Sequence, residues 1–356
     1  MYLVPNEGKG SASGYCLVIV SFKSGSMKSD RRKFIQQLGL SALGAGIAAA
    51  LPWEVNAGTE KSSFFEISLA QFSFASEFFS GKHNTLEFPA RAKKDFGISA
   101  VEYVSMFFAD KATDTVFLKE LAQRASDNGV KNNLIMVDDE NIADTDSAKR
   151  NHAVESHYKW VDAAKVLGCN SIRVNLGSMD QTGTADEIAK AAIEGYGKLL
   201  EYGTKNKLDI IVENHVGYSC NGQWLAGIMK QVNNPRAGVL PDFGNFCINR
   251  TKPATQDMAG YMATKCLEEY DKYKGVEELM PYAKGVSAKT HKFDAKGNET
   301  EIDFDRMFAI IKKAKFKGIV GIEYEGGLMQ MMGQPGYLTN EEGIKTTKKL
   351  LERVGV

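Results

Sequence analysis

From Phe64 to the C terminus the chain alternates short apolar runs with amphipathic stretches eight times over, and this alternation constrains the fold more than any other feature. The apolar runs that read as strands cover residues 66–72, 99–104, 133–137, 171–176, 209–215, 238–242, 285–291 and 318–325. Between them apolar residues recur at i, i+3 and i+4. The spacing predicts helices, most clearly over residues 115–126, 148–167, 185–205, 303–314 and 340–353. Strands that each hand over to a helix must run parallel, because a parallel pair needs a long crossover. Eight such units in about 290 residues predict a single closed (β/α)8 barrel of the α/β class. A doubly wound open sheet would usually carry a glycine-rich phosphate turn after its first strand, and Leu69-Ala70-Gln71-Phe72-Ser73-Phe74 has none.

Residues 1–57 follow a different pattern. Ser29-Asp30-Arg31-Arg32-Lys33-Phe34-Ile35 precedes a small, apolar run over residues 38–51, too short to span a bilayer comfortably. Val55-Asn56-Ala57 supplies small residues where a leader peptidase would cut. The paired arginines resemble a twin-arginine export signal, so residues 1–57 are expected to be an N-terminal extension plus signal. Met27 offers an alternative start just ahead of it. The expected mature barrel, residues 58–356, would then work in the periplasm with no stable membrane association after cleavage. Lysine plus arginine balances aspartate plus glutamate at 44 each, which argues against a nucleic-acid partner. Cys169, Cys220, Cys247 and Cys266 show no metal or redox spacing; an oxidising compartment permits disulfides, which the sequence does not pair, and buried free thiols are the expected reading.

Barrels of this class place their chemistry where strands end. Strand four ends Arg173-Val174-Asn175, strand five ends Glu213-Asn214-His215 and strand six ends Asp242-Phe243-Gly244-Asn245. Strand seven carries Ser287-Ala288-Lys289-Thr290-His291, and strand eight carries Glu323-Tyr324-Glu325. Glu102, late in strand two, is a similar rim candidate. Residues two apart share a strand face, so Glu213, Asp242 and Glu323 are expected to converge at one mouth. Buried carboxylates repel unless compensated. Either one divalent cation (Mn2+, Mg2+, Co2+ or Zn2+) neutralises them, or they pair with Arg173 and Lys289. His83, His152 and His157 read as loop or surface groups, and Phe72, Phe74, Phe107, Phe108 and Trp224 as packing or sugar-stacking residues.

Val212-Glu213-Asn214-His215, Pro241-Asp242-Phe243-Gly244-Asn245-Phe246 and Ile322-Glu323-Tyr324-Glu325-Gly326 resemble motifs of the xylose-isomerase-like TIM barrels. That superfamily includes sugar epimerases, hydroxypyruvate isomerase, inosose dehydratase and the endonuclease IV type of repair enzyme. The resemblance runs from about Phe64 to Val356. It implies that Glu213, Asp242 and Glu323 bind one metal ion together with a histidine of strand seven. Asp242 to Asn245 matches an Asp-x-x-His pattern of sugar epimerases, with asparagine in place of the histidine. Relatives read Val-His-x-Lys-Asp on strand seven. Alignment on the lysine selects Ser287 as ligand, and alignment on the histidine selects His291. His291 alone offers an imidazole and is the expected ligand; failing it, three carboxylates and water hold the ion, or Lys289 replaces it.

The implied activity is sugar isomerisation or epimerisation, with Glu213 and Glu323 moving protons through a metal-bound enediolate. Arg173, Asn175, His215, Asn245, Lys289 and Glu102 would bind or orient the small sugar or polyol substrate. A lyase or dehydratase acting on a keto-sugar, keto-glycoside or inosose would use the same ion and the same proton abstraction. A non-catalytic sugar-binding protein is a third class. The repair-enzyme branch assembles three zinc ions, for which five histidines are too few. The long segment 250–282 is expected to cover the mouth or to contact a second copy in a homo-oligomer.

Overall fold

In the computed structural model, which describes residues 63–178, 181–255, 260 and 263–356, the apolar runs form a ring of parallel strands. These are β1 (Glu66–Ala70), β2 (Ala100–Val104), β3 (Lys131–Met136), β4 (Ser171–Val174), β5 (Asp209–Glu213), β6 (Ala237–Leu240), β9 (Val286–Thr290) and β10 (Ile319–Tyr324). Their spatial order is β6-β5-β4-β3-β2-β1-β10-β9. Parallel bridges at Val239–Ala283 and Asp242–Ser287 join the two ends of that order. There the Ser287 amide donates to the Pro241 carbonyl at 2.9 Å and the Phe243 amide to the Ser287 carbonyl at 3.2 Å. The eight strands therefore make the expected (β/α)8 barrel, and its last seam lies beside Asp242.

The crossover helices are α1 (Phe88–Phe96), α2 (Thr115–Asp127), α3 (Ser147–Leu167), α4 (Ala185–Asn206), α5 (Gly222–Val232), α6 (Lys272–Leu279), α7 (Phe304–Lys313) and α8 (Asn340–Val354). Local chemistry sets their starts. Asp114 and Asp146 accept first-turn amides of α2 and α3, and Thr184–Glu187 and Thr339–Glu342 form capping boxes on α4 and α8. Inside the ring, Ala70, Val104, Leu134, Met136, Ile211 and Leu240 make one small apolar cluster; a larger one lies between strands and helices. The polar site residues share strand faces with this inner cluster, so they stack above it toward the C-terminal mouth.

Several boundaries differ from expectation. Strand five stops at Glu213, because the His215 and Val216 amides turn away to Ser219 Oγ at 3.1 and 3.2 Å. Residues 71–74 leave strand one as a 3-10 turn. The segment after β6 builds an antiparallel ribbon, β7 (Cys247–Arg250) with β8 (Cys266–Glu269), before α6. Cys247 and Cys266 are joined across it as a disulfide, with Cα atoms 5.8 Å apart, so they are not free thiols; Cys169 and Cys220 are buried and free. His157 is buried against the Ala153 carbonyl and His83 packs on Phe74 and Phe78, whereas His152 is exposed. The expected export signal in residues 1–57 lies outside the described residues.

Candidate metal and substrate site

Glu213 at the end of β5, Asp242 just past β6 and Glu323 on β10 converge at the seam, each buried, with ligand-capable oxygens all within 4.8 Å of one another. Each is held differently. Asp242 Oδ1 accepts the Gly244 and Asn245 amides, both at 2.8 Å, in an Asx-type turn. Asn214 fixes the same turn from β5, donating to the Asp242 and Asn245 carbonyls at 3.0 Å and accepting the Asp242 amide at 2.8 Å. Glu213 Oε1 accepts from Asn245 Nδ2 at 3.1 Å. Its Oε2 lies 2.8 Å from Arg173 Nε, but the N–H is not directed at it, and neither atom has a hydrogen bond.

Ser287, on β9, stands between the other two carboxylates. Its Oγ lies 2.8 Å from Asp242 Oδ2 and 2.9 Å from Glu323 Oε2. A hydroxyl has one proton to donate, so it can satisfy only one of them at a time. Lys289, two residues on and on the same face, puts Nζ 2.7 Å from Glu325 Oε1, 3.4 Å from Glu323 and 3.7 Å from Asp242. Arg173 Nη1 donates to Asp138 Oδ1 at 2.6 Å, and Asn175 Nδ2 donates to the same oxygen at 2.9 Å.

Two cations, Arg173 and Lys289, thus serve five carboxyl groups: Asp138, Glu213, Asp242, Glu323 and Glu325. The surplus of negative charge, the unbonded Glu213 Oε2 and the oxygen-rich donor set fit a divalent cation. Ion pairing with Arg173 and Lys289, the alternative open in the sequence, is present but covers only part of that charge.

The surroundings tune proton affinity. Burial pushes the Glu213 carboxyl well above the ordinary carboxylate range, opposed by Arg173 and reinforced by Glu323. Burial also raises Glu323, against Lys289. Glu325 moves the other way: burial opposes ionisation, yet the Lys289 ammonium and His291 hold it well below the usual range. Asp138 sits at about 2 because Arg173, with His215 behind it, outweighs burial. Burial and Arg173 push His215 down to about 4, which leaves a neutral imidazole with a buried, unbonded Nδ1.

Glu102 lies deeper in the barrel. Its Oε1 accepts from Ser68 Oγ at 2.7 Å and Asn133 Nδ2 at 3.0 Å, while Oε2 has no hydrogen bond. Burial is the chief cause that lifts its carboxyl to about 7. Gly321 makes the room: a Cβ there would stand 2.7 Å from Glu102 Oε2. Glu102 is therefore beneath Glu323, two residues further along the Gly321 face, rather than on the rim.

Of the expected residues, the structure brings Glu213, Asp242, Glu323, Arg173, Asn245 and Lys289 together, with Asn175 joined through Asp138. His291 is elsewhere. Its Nε2 lies 3.4 Å from Glu325 Oε2, and it groups with Glu299 and Glu301, leaving Ser287 as the β9 side chain hydrogen-bonded to both Asp242 and Glu323. Sequence reasoning missed Asp138, and it placed Glu325 in the strand-eight motif without giving it a role. Both follow the rule that found the others, a polar residue at a strand's C-terminal end on the inward face.

Residues 90–353 match the sequence model described as xylose isomerase-like TIM barrel. No curated protein sequence matches the chain. Among solved structures, D-allulose 3-epimerase from Methylomonas sp., also solved in complex with D-allulose, aligns with a TM-score of 0.59 at 15% identity, covering 82% of this chain and 99% of that one. The IolI protein with a bound zinc atom aligns with a TM-score of 0.60 at 15% identity, over 82% of this chain and 98% of that one. The probable 3-DHS dehydratase AsbF from Bacillus anthracis gives 0.56 at 12%, over 81% and 98%. At such identities these likenesses concern the fold, while the sequence model covers well over half of the residues. The chain belongs to the xylose isomerase-like TIM barrel family.

Proposed function

We propose that this protein is a divalent-metal-dependent sugar isomerase or epimerase that acts, after export, on a small ketose or related polyol. The observation that carries the reading is the convergence of Glu213, Asp242 and Glu323 within 4.8 Å, buried, with one Glu213 oxygen unbonded. Glu213, Asp242 and Glu323 would hold the ion, with Ser287 beside them. When bound, such an ion acidifies the C–H next to a substrate carbonyl.

The chain's own groups do the rest. Glu213 and Glu323 reach the site from β5 and β10, opposite sides of the Asp242 seam, so one takes a proton from carbon and the other returns it. Lys289 and Arg173 place fixed positive charge where an enediolate oxygen develops, and neutral His215 offers a donor that adds no charge. Return of the proton to the other face of the same carbon epimerises; return to the adjacent carbon isomerises.

A lyase or dehydratase is the second reading, favoured by one feature. His291 keeps its proton to higher pH because Glu325, against the effect of burial, stabilises the cation, and such an imidazole can protonate a departing oxygen. One experiment separates the two. Metal-loaded protein is incubated in D2O with a panel of ketoses and 3-keto-glycosides and followed by NMR. Deuterium in an otherwise intact sugar supports isomerase or epimerase, and loss of water or an aglycone supports lyase. Neither outcome with any sugar, despite bound metal, leaves the binding-protein class.

A further inference from the structure

Of the β9 side chains, Lys289 stands 3.4 and 3.7 Å from Glu323 and Asp242 as a cation, so the one oxygen donor between those carboxylates is the Ser287 hydroxyl, hydrogen-bonded to them at 2.9 and 2.8 Å. Strand pairing fixes it there: Ser287 bridges Asp242 on one side and pairs with Gly321, two residues before Glu323, on the other. His291 is four residues further on, roughly 13 Å along an extended strand. Its imidazole is turned to Glu325 and to the Glu299–Glu301 group instead.

We infer that Ser287, not an imidazole, is the β9 donor, and that this makes an all-oxygen site which takes a hard divalent ion, Mg2+ or Mn2+, with little of the preference for Zn2+ or Co2+ that a histidine confers. The inference rests on the proposed metal site and narrows it to an ion class. Its physical basis is donor hardness: carboxylate, hydroxyl and water oxygens suit Mg2+ and Mn2+, whereas imidazole favours Zn2+ and its neighbours. The single hydroxyl proton also becomes useful. With an ion drawing on one carboxylate, Ser287 can donate to the other, and no acceptor is left contested.

The test uses the full-length protein, stripped of metal and titrated with Mn2+, Mg2+ and Zn2+ by calorimetry, with Mn2+ binding also read from its paramagnetic resonance signal. The expected results are saturable Mn2+ binding and a Ser287→His variant whose Zn2+ to Mn2+ affinity ratio rises by about tenfold or more. His291→Ala, at a mostly buried position outside the Glu213–Asp242–Glu323 group, should leave all three affinities within about twofold, since loss of a ligand or of a group orienting one costs about tenfold or more. The assignment is overturned if His291→Ala removes metal binding, if Ser287→His leaves the ratio unchanged in a folded protein, or if none of the three ions binds. Correct metal behaviour with no labelling of any sugar would instead sink the isomerase reading and leave this assignment standing.

Discussion

Lys289 Nζ lies 2.7 Å from Glu325 Oε1 and pairs a buried ammonium with a half-buried carboxylate, while also leaning over Glu323 at 3.4 Å. A lysine in that place stabilises the metal-free barrel and competes with an incoming cation for the same carboxylates. Lys289→Met is therefore expected to act in opposite directions on the two. Leaving half-buried Glu325 with His291 as its remaining partner should cost about 1–3 kcal/mol in urea unfolding of the metal-free protein. Removing the competing charge should tighten Mn2+ binding by about tenfold, or about 1.4 kcal/mol. A variant that loses both stability and metal affinity would show that Lys289 supports the ion rather than opposing it.

Glu102 makes stability depend on pH with a definite sign. Burial holds its carboxyl at about 7 in the folded protein, above the ordinary value of 4.5 that the unfolded chain restores. Between those values the folded state binds the extra proton, so the contribution is full below about 4.5 and is lost as pH rises through about 7. For one such group the slope is about 1.4 kcal/mol per pH unit within that window. Glu102→Gln keeps an oxygen for Ser68 and Asn133 and removes the titration. The expected result is a flatter stability curve for the variant than for the parent between pH 5 and 7, measured by urea midpoints on metal-free protein. Parallel curves would mean that Glu102 stays ionised.

The barrel is legible in the sequence because eight apolar runs alternate with helical periodicity, and the period of two along each run already puts Glu213, Asp242, Glu323 and Lys289 on one side. Three things are not legible, each for a physical reason. The helix Phe88–Phe96 hides behind Pro89, which reads as a breaker but sits in the first turn, where its missing N–H costs nothing. Ser287 carries no charge, and the strand-seven motif aligns equally on the lysine, which selects Ser287, or on the histidine, which selects His291; the bridge to Asp242 is what separates the two. Asp138 gains its role from Arg173, a partner 35 residues away in sequence, and no local pattern announces that pairing.

Glu213→Gln and Glu323→Gln test proton transfer separately from binding. Each removes one acid–base group, and the expected loss in the rate of C–H exchange with D2O is about 10²–10⁴-fold. Because both carboxylates are also placed to hold the ion, exchange must be compared at saturating metal, with occupancy measured by calorimetry. If either variant, once loaded, exchanges within about tenfold of the parent, that glutamate is a ligand only and the proton carrier is another group.

The Cys247–Cys266 disulfide ties the ribbon that follows the Asp242–Asn245 turn, and the Tyr270 amide donates to the Phe246 carbonyl at 2.8 Å at the same end. Closing a segment with a sequence separation of 19 is worth about 3 kcal/mol by loop entropy, an upper figure if the reduced ribbon stays ordered. Cys247→Ala with Cys266→Ala is therefore expected to lower the urea-unfolding free energy by up to about 3 kcal/mol relative to the oxidised parent, and a reductant should produce the same shift in the parent alone. The ribbon leads straight out of the turn whose Gly244 and Asn245 amides hold Asp242. Loosening it should weaken metal binding along with stability. Unchanged metal affinity in the double variant would mean that Asn214, which grips the same turn from β5, is sufficient to hold Asp242 in place.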